Sequence, residues 1–563
     1  MAIDDTMDFA TTLNGLKDEY VDTVFYKSPE AGLMYGFQTY QDLISHCSRE
    51  SFESYWKKLE GLLQRAKEID DTHLSALQKG ELTHFIGTVT KDLTGRECWE
   101  YEMPSNHMTG LLAEYAFLPS IQPLNNEKDL ENYKKRLSQM PDVLKTELIE
   151  AMRYGKSKGI MPNKQTIEIM IKMCKQQEVE DLSKSPFNLT EKLEEAKLPK
   201  DALFESLSAL PPAYKAVREF LEEEYLPAAR THAGIYGLPN HDKVYETMIF
   251  ASTTVKMSPT ELHELGKKEV QRITELMEET KKKVGFAGTL QKFFVAIQDS
   301  KKYPQLHLGS REEVLKNYDA IFASINKKLP DYFSHFPKRQ CVIKASPAFR
   351  EANDPMAYYM PAGTDGEPGQ FFINMALHAK RAVHMASALA LHEANPGHHH
   401  QVSLYNDAEN RHIFDKIAQT TAYLEGWGLY SEYLGEEMGM YEDPFQYFGR
   451  LELEMHRALR LVVDSGLHAF DWTVEQALEY MKIHESLSED ELRAEIFRYT
   501  VMPGQALAYK VGELKIKELR KLAEEQLGSR FDVKDFHDAV LSNSTTLGAL
   551  ESTVREWIRS VSQ

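Results

Sequence analysis

Apolar and polar positions alternate along most of this chain with the period of amphipathic helices, and strand-like stretches are few. "SPTELHELGKKEVQRITELMEETKKK" (258–283) is the clearest helix. Ser258 is its N-cap, Pro259 holds the first helical position, and Glu261 completes a capping box. The same device recurs at Ser488 with Glu491, before "LRAEIFRYTV", and at Thr473 with Gln476, before "ALEYMKIH". "QCVIKAS" (340–346) and "GQFFIN" (369–374) are β-branched or aromatic and bounded by turn formers, so they predict strands. Between them "EANDPMAYYMPAGTDGEPG" reads as a Gly/Pro-rich loop. From Met375 the run "MALHAKRAVHMASALALHEA" predicts one long helix. The expectation is a mainly α protein with one small sheet just before that helix. A soft division near residue 330 separates a helical N-terminal part (1–330) from a motif-bearing part (331–563), the two forming one structural unit.

Candidate chemistry begins where that long helix ends, in "LHEANPGHHHQ" (391–401). In an H-E-x-x-H helix, two histidines at i and i+4 face one zinc and the glutamate serves as general base. Here His392 and Glu393 are followed at i+4 by Pro396, and His398, His399 and His400 come late. On a straight helix His398 would face about 240° away, and His399 would lie roughly 10 Å along the axis. Asn395-Pro396-Gly397 argues against a straight helix, because proline disfavours helical geometry before it and glycine can take positive φ. A turn there could swing His398 back toward His392. His398 is the better-placed second ligand and His399 stays as the alternative. A surface loop of histidines is the competing account.

A catalytic zinc takes three protein ligands and keeps a position open. Glu425, in "TTAYLEGWGLYSEYLGEEMGMY", has small or apolar neighbours, and a carboxylate buried in such company needs a cation. Glu432, Glu436 and Glu437 in the same stretch read as solvated acids. "RLVVDSGLHAFDW" places His468 in an apolar setting, and "FRYTVMPGQALAYKVG" gathers Arg498, Tyr499, Gln505, Tyr509 and Lys510 around a Pro-Gly break. These read either as a polar pocket wall that grips a carboxylate and an oxyanion, or as a kinked helix with snorkelling cations.

Composition narrows the classes. With 66 basic against 86 acidic residues the 563-residue chain carries a net charge of −20, which argues against nucleic-acid or anionic-membrane partners. No apolar run approaches a membrane span, and the acidic N-terminus has no signal-peptide pattern. Cys47, Cys98, Cys174 and Cys341 are widely spaced, as expected for reduced thiols in the cytoplasm.

The chain resembles the family labelled domain of unknown function 885, whose members are similar to zinc carboxypeptidases. The resemblance rests on "MPSNHMTG" (103–110), "YLPAARTHAGIYGLPN" (225–240), "MSPTELHELG" (257–266), "GQFFIN", "LHEANPGHHHQ", "YLEGWGLYSE" (423–432), "RLVVDSGLH" (460–468), "RYTVMPGQALAYKVG" (498–512) and "FHDAVL" (536–541). It implies a large, two-lobed helical metallopeptidase-like fold with a central cleft, similar to the angiotensin-converting-enzyme group. "GQFFIN" would be the strand that binds extended peptide. It implies zinc ligands His392, His398 and Glu425, with Glu393 as base. Tyr509 and His468 would stabilise the oxyanion, and Arg498 and Lys510 would hold the substrate carboxylate. Gln505 and Tyr423 complete the candidate substrate-binding set. Two departures stand out: His400 replaces a commonly apolar residue, and Glu367 stands where Arg often precedes Pro-Gly. The expected function is zinc-dependent cleavage of short peptides by a cytoplasmic enzyme, of carboxypeptidase or dipeptidyl-carboxypeptidase type; a homodimer is compatible with it. The alternatives are amide cleavage or condensation in a small-molecule pathway, and a silent binding protein on the same fold.

Overall fold

The computed structural model describes residues 2–37, 39–347, 351, 355–361, 367–376, 382–408, 411–542 and 546–562. The chain divides into two compact units, the first made of residues 1–70 and 89–247, the second of 71–88 and 248–563. The boundary expected near 330 therefore falls between Thr247 and Met248. Residues 248–330 belong with the motifs because their main helix packs along a motif-bearing one.

The first unit is helical. Its helices, including Arg49–Lys67, Leu111–Ile121, Glu127–Asp142, Lys164–Gln176 and Leu210–Phe220, enclose a core in which Tyr115, Tyr133, Leu137, Met140 and Val217 are fully buried. Ser48 and Asn126 cap two of these helices by accepting from the backbone N–H of Ser51 and Asp129.

In the second unit, α1 (Pro259–Lys283) and α2 (Arg311–Lys328) precede a three-stranded sheet of β1 (Cys341–Ala345), β2 (Ala357–Met360) and β3 (Gly369–Ile373). Then follow α3 (Ala386–Glu393), α4 (His398–Asp407), α5 (Thr421–Glu437), α6 (Pro444–Ala469), α7 (Val474–Lys482), α8 (Glu489–Val501), α9 (Ala508–Leu527), α10 (Val533–Leu541) and α11 (Leu547–Ser562). The three capping boxes expected from the sequence all form, on α1, α7 and α8. Among the described residues no helix is long and apolar enough to cross a membrane.

Both expected strands are present, and β2 is a third inside the segment read as loop. The order is β1-β3-β2, with β1 parallel and β2 antiparallel to β3. The strand of "GQFFIN" is thus central, its backbone groups paired on both sides, so it cannot be the edge that receives a peptide. β1 and β2 are the edges, and β2 packs against α3. The sheet does lie beside the His-Glu helix. That helix is shorter than expected: it begins at Ala386, and residues 377–381 of the expected helix lie outside the described ones. The N–H groups of Ala382 and Val383 go to Gln298 Oε1 (3.0 Å) and the Leu306 carbonyl (2.8 Å). Tertiary bonds thus take amides that a continuing helix would need.

Close helix crossings position the site. A Cβ added to Gly512 on α9 would lie 1.9 Å from the Ala422 carbonyl oxygen and 2.8 Å from Gly426 Cα on α5. The two backbones touch, and only glycine allows it. Gly512→Ala should destabilise the protein by about 1–3 kcal/mol in urea unfolding, through overpacking. Gly548→Ala, where nothing lies within 4 Å, should be close to neutral; equal effects would refute the close-contact account.

Candidate metal centre

α3 ends at Glu393. Residues 394–397, with a cis Asn395–Pro396 peptide bond, turn the chain before α4 starts at His398. The expected break is real, but Gly397 does not take positive φ; its φ is −72°. Its function is close approach: a Cβ there would sit 1.8 Å from the His392 carbonyl oxygen and 2.4 Å from that of Leu391. The turn is tied down by Trp427 on α5, whose Nε1–H donates to the Pro396 carbonyl at 2.8 Å, and by Asn395, which donates to Asn326 Oδ1 at 2.8 Å.

The turn brings His392 and His398 together, their rings nearly perpendicular with centroids 4.7 Å apart. Glu425 reaches both from α5. Its Oε2 is 3.4 Å from His392 Nε2 and 3.6 Å from His398 Nε2, and the three donor atoms all lie within 4.8 Å of one another. Ligands about 2.0–2.1 Å from a tetrahedral zinc are separated by about 3.3 Å, and the two separations from Glu425 are of that size. His392 is buried, while His398 and Glu425 keep 14% and 23% side-chain exposure, which leaves the cluster a face toward solvent. Burial opposes charge on Glu425, but the hydrogen bonds and positive charge of His392 and His398 outweigh it and hold its carboxyl well below the usual range. Burial likewise opposes charge on His392, yet contacts with Glu425 and Glu432 push it up to about 10. Glu393 is half-buried at the end of α3, one residue from His392.

The other two histidines are core residues. His399 Nε2–H donates to the Arg339 carbonyl at 3.2 Å, and its Nδ1 accepts from the Tyr359 hydroxyl at 3.0 Å. Burial lowers its pKa to about 4. His400 is fully buried, 4.6 Å from the Phe333 ring, and burial first, then the nearby His399, lower its pKa to about 3. It packs as a neutral ring in the core. Of the alternatives left by the sequence, His398 is the one that joins His392 and Glu425.

The structure corrects several further expectations. Glu432 is not solvated: it is 2% exposed, and its Oε1 accepts from His392 Nδ1 at 2.7 Å. Glu436 and Glu437 are exposed, as expected, and pair with Arg450 and Arg520. Tyr423 is 1% exposed and donates to the Val540 carbonyl at 2.9 Å, so it anchors α5 and does not line a pocket. His468 is fully buried and its Nε2–H donates to the Tyr499 carbonyl at 3.0 Å, which removes it as an oxyanion donor.

Lys510 is also lost as a substrate-binding group. It is fully buried with its ammonium between Glu513 (2.6 Å), Glu454 (2.7 Å) and Glu269 (3.1 Å). Arg450 and Arg272 join the same acids, so the cluster pins α1, α6 and α9 together. Sequence reasoning finds the charges but not their pairing, because the acids come from three distant segments.

Arg498, Gln505 and Tyr509 do come together, in a polar cluster the sequence did not fully reveal. Arg498 donates to Gln505 Oε1 (2.6 Å) and Glu495 Oε2 (3.0 Å). Glu495 Oε2 also accepts from the Tyr499 hydroxyl (2.8 Å) and from Arg460 (3.2 Å). The Arg460 guanidinium stacks 4.2 Å from the half-buried Tyr509 ring.

Taken together, the fold and the cluster define a mainly helical protein with a converged His-His-Glu set beside a small sheet. The chain belongs to the family described as "bacterial protein of unknown function (DUF885)", whose model matches residues 29–554. It is similar to the crystal structure of the "putative lipoprotein" from Colwellia psychrerythraea, at 30% identity and a TM-score of 0.89, covering 97% of this chain and 99% of that one. A "putative lipoprotein of unknown function" from Shewanella oneidensis shares the fold at 16% identity and a TM-score of 0.73, covering 95% and 98%. Among curated proteins none matches.

Lys510→Met should destabilise the protein by about 3–5 kcal/mol in urea unfolding, because it strands buried carboxylates. Unchanged stability with weakened ligand binding would instead restore Lys510 as a substrate contact.

Proposed function

We propose that the protein is a zinc-dependent hydrolase of amide bonds in short peptides, of carboxypeptidase or dipeptidyl-carboxypeptidase type. The observation that carries this reading is the convergence of His392 Nε2, His398 Nε2 and Glu425 Oε2, with Glu393 next to one of them. Three ligands and an open side are the arrangement of a catalytic rather than a structural site. Zinc held there supplies a polarised carbonyl and an acidified water. Glu393 takes the proton of the attacking water and passes it to the leaving amine. Tyr509, half-buried, is the proposed donor to the developing oxyanion, and Arg498 with Gln505 is the proposed grip on the substrate's carboxylate. Lys510 and His468 have no part in it. A cytoplasmic location belongs to the same proposal, and cell fractionation distinguishes it from the lipoprotein state by which the two structural relatives are described.

The deciding experiment combines metal analysis with a peptide library. The purified protein should hold one zinc. His398→Ala should lose it and His399→Ala should keep it. Glu393→Gln should retain metal while cleavage falls by about 10²–10⁴-fold. Absence of bound metal after zinc-replete expression defeats the reading. Zinc bound with every peptide untouched transfers the site to amide cleavage or condensation of small molecules.

A further inference from the structure

We infer that Glu432 is a positioning residue for the metal centre: its carboxylate fixes the tautomer and orientation of His392 so that Nε2 presents a lone pair to the ion. The inference rests on the zinc reading above and adds a residue to it.

One helix grips both nitrogens of this imidazole. Glu425 and Glu432 are seven residues apart on α5, two turns along the same face and about 10 Å apart along the axis. His392 lies between them, with Nε2 3.4 Å from Glu425 Oε2 and Nδ1 2.7 Å from Glu432 Oε1. The ring can lie there because residue 428, one turn after Glu425, is glycine. A Cβ at that position would come within 2.7 Å of Cε1, 2.8 Å of Nε2 and 3.0 Å of Nδ1. The imidazole therefore rests directly on the α5 backbone with an acid at each end, and a rotation about χ2 would break both contacts.

The chemistry follows from donor and acceptor roles. A carboxylate can only accept, so Glu432 holds the Nδ1 proton, and Nε2 is the nitrogen left to give up its proton and present a lone pair when an ion enters the cluster. Such a bond also raises the basicity of the ligating nitrogen. At 2% exposure Glu432 would be a costly place for an acid without a partner, and the His392 ring is the partner it has. Its backbone is pinned as well, since the Tyr441 hydroxyl donates to the Glu432 carbonyl at 2.8 Å. Carboxylate, helix backbone and ring thus form one rigid support.

The test is zinc titration of the full chain against a chromophoric chelator, with unfolding of the metal-free protein measured in parallel. Glu432→Ala should bind zinc about 10–100-fold more weakly than the wild type. Glu432→Gln, which keeps a neutral acceptor at the same place, should lose less. Cobalt(II) loading adds a readout that a merely structural ion pair would not move: the visible d–d bands of both variants should shift from the wild-type spectrum. If Glu432→Ala does not fold, the Gln variant carries the test alone. Wild-type zinc affinity and an unchanged cobalt spectrum in Glu432→Gln overturn this inference and leave the zinc reading standing. A wild-type protein that binds no zinc overturns both.

Discussion

Burying a carboxylate requires a cation, and that constraint organises the second unit. An ionised acid removed from water is stable only when paired and hydrogen-bonded. Among the described residues of this unit, Glu432, Glu452, Glu454, Glu485 and Glu513 are buried acids with basic partners, and Glu269 and Glu425 are partly buried ones. Glu454 and Glu513 are satisfied by Lys510, and Arg450 and Arg272 complete the pairing around Glu454. Among the described residues, the ion-pair partners of Glu425 and Glu432 are histidines, which are neutral unless protonated. The difference is chemical. The first cluster is closed by permanent cations, so it serves architecture. The second is closed by titratable donors and keeps one side toward solvent, which is the arrangement the proposed metal site requires.

Charge alone would not bring these groups together, and backbone proximity does the rest. α5 meets α9 at Gly426 and Gly512, and meets the His392 ring at Gly428. Each contact would be blocked by a single Cβ. The helix that bears Glu425 and Glu432 is thus held on one side by the helix that bears Lys510, and on the other by the helix that bears His392. The two charge clusters share a scaffold, so the Glu454–Lys510 cluster helps fix the frame on which the His-Glu centre depends, without touching its ligands.

What could be read from the sequence follows the range of the interactions. The capping boxes at Ser258, Thr473 and Ser488 were legible because they close over three residues. β1 and β3 were legible from their apolar runs, but β2 has only four residues between a proline and a masking loop signal. The run from Met375 predicts a longer helix than forms, because helix propensity does not register that the amides of Ala382 and Val383 are claimed by Gln298 and Leu306. Of the site, His392, Glu425 and His398 were legible from spacing and from apolar neighbours. Glu432 was not, because nothing local separates a buried acid from a solvated one on a helix of mixed character. Lys510, His468 and Tyr423 failed for the same reason in reverse: polar side chains in a suggestive stretch turned inward, toward partners from distant segments.

The Asn-Pro-Gly insertion explains why the ligand spacing escapes the ordinary rule. A straight helix would set His392 and His398 about 240° apart, whereas the observed rings are 4.7 Å apart. The convergence does not come from helical periodicity at all. It comes from the chain doubling back on the last turn of α3, so closely that Gly397 touches the carbonyls of Leu391 and His392. Two short helices then replace one long one, and each delivers a histidine from its own end. The geometry of the His-His-Glu set is fixed by the turn and by Trp427, which ties the Pro396 carbonyl to the same helix that carries Glu425. A motif of this kind tolerates no side chain at the glycine, because any Cβ there would push α4, and His398 with it, away from the other two donors.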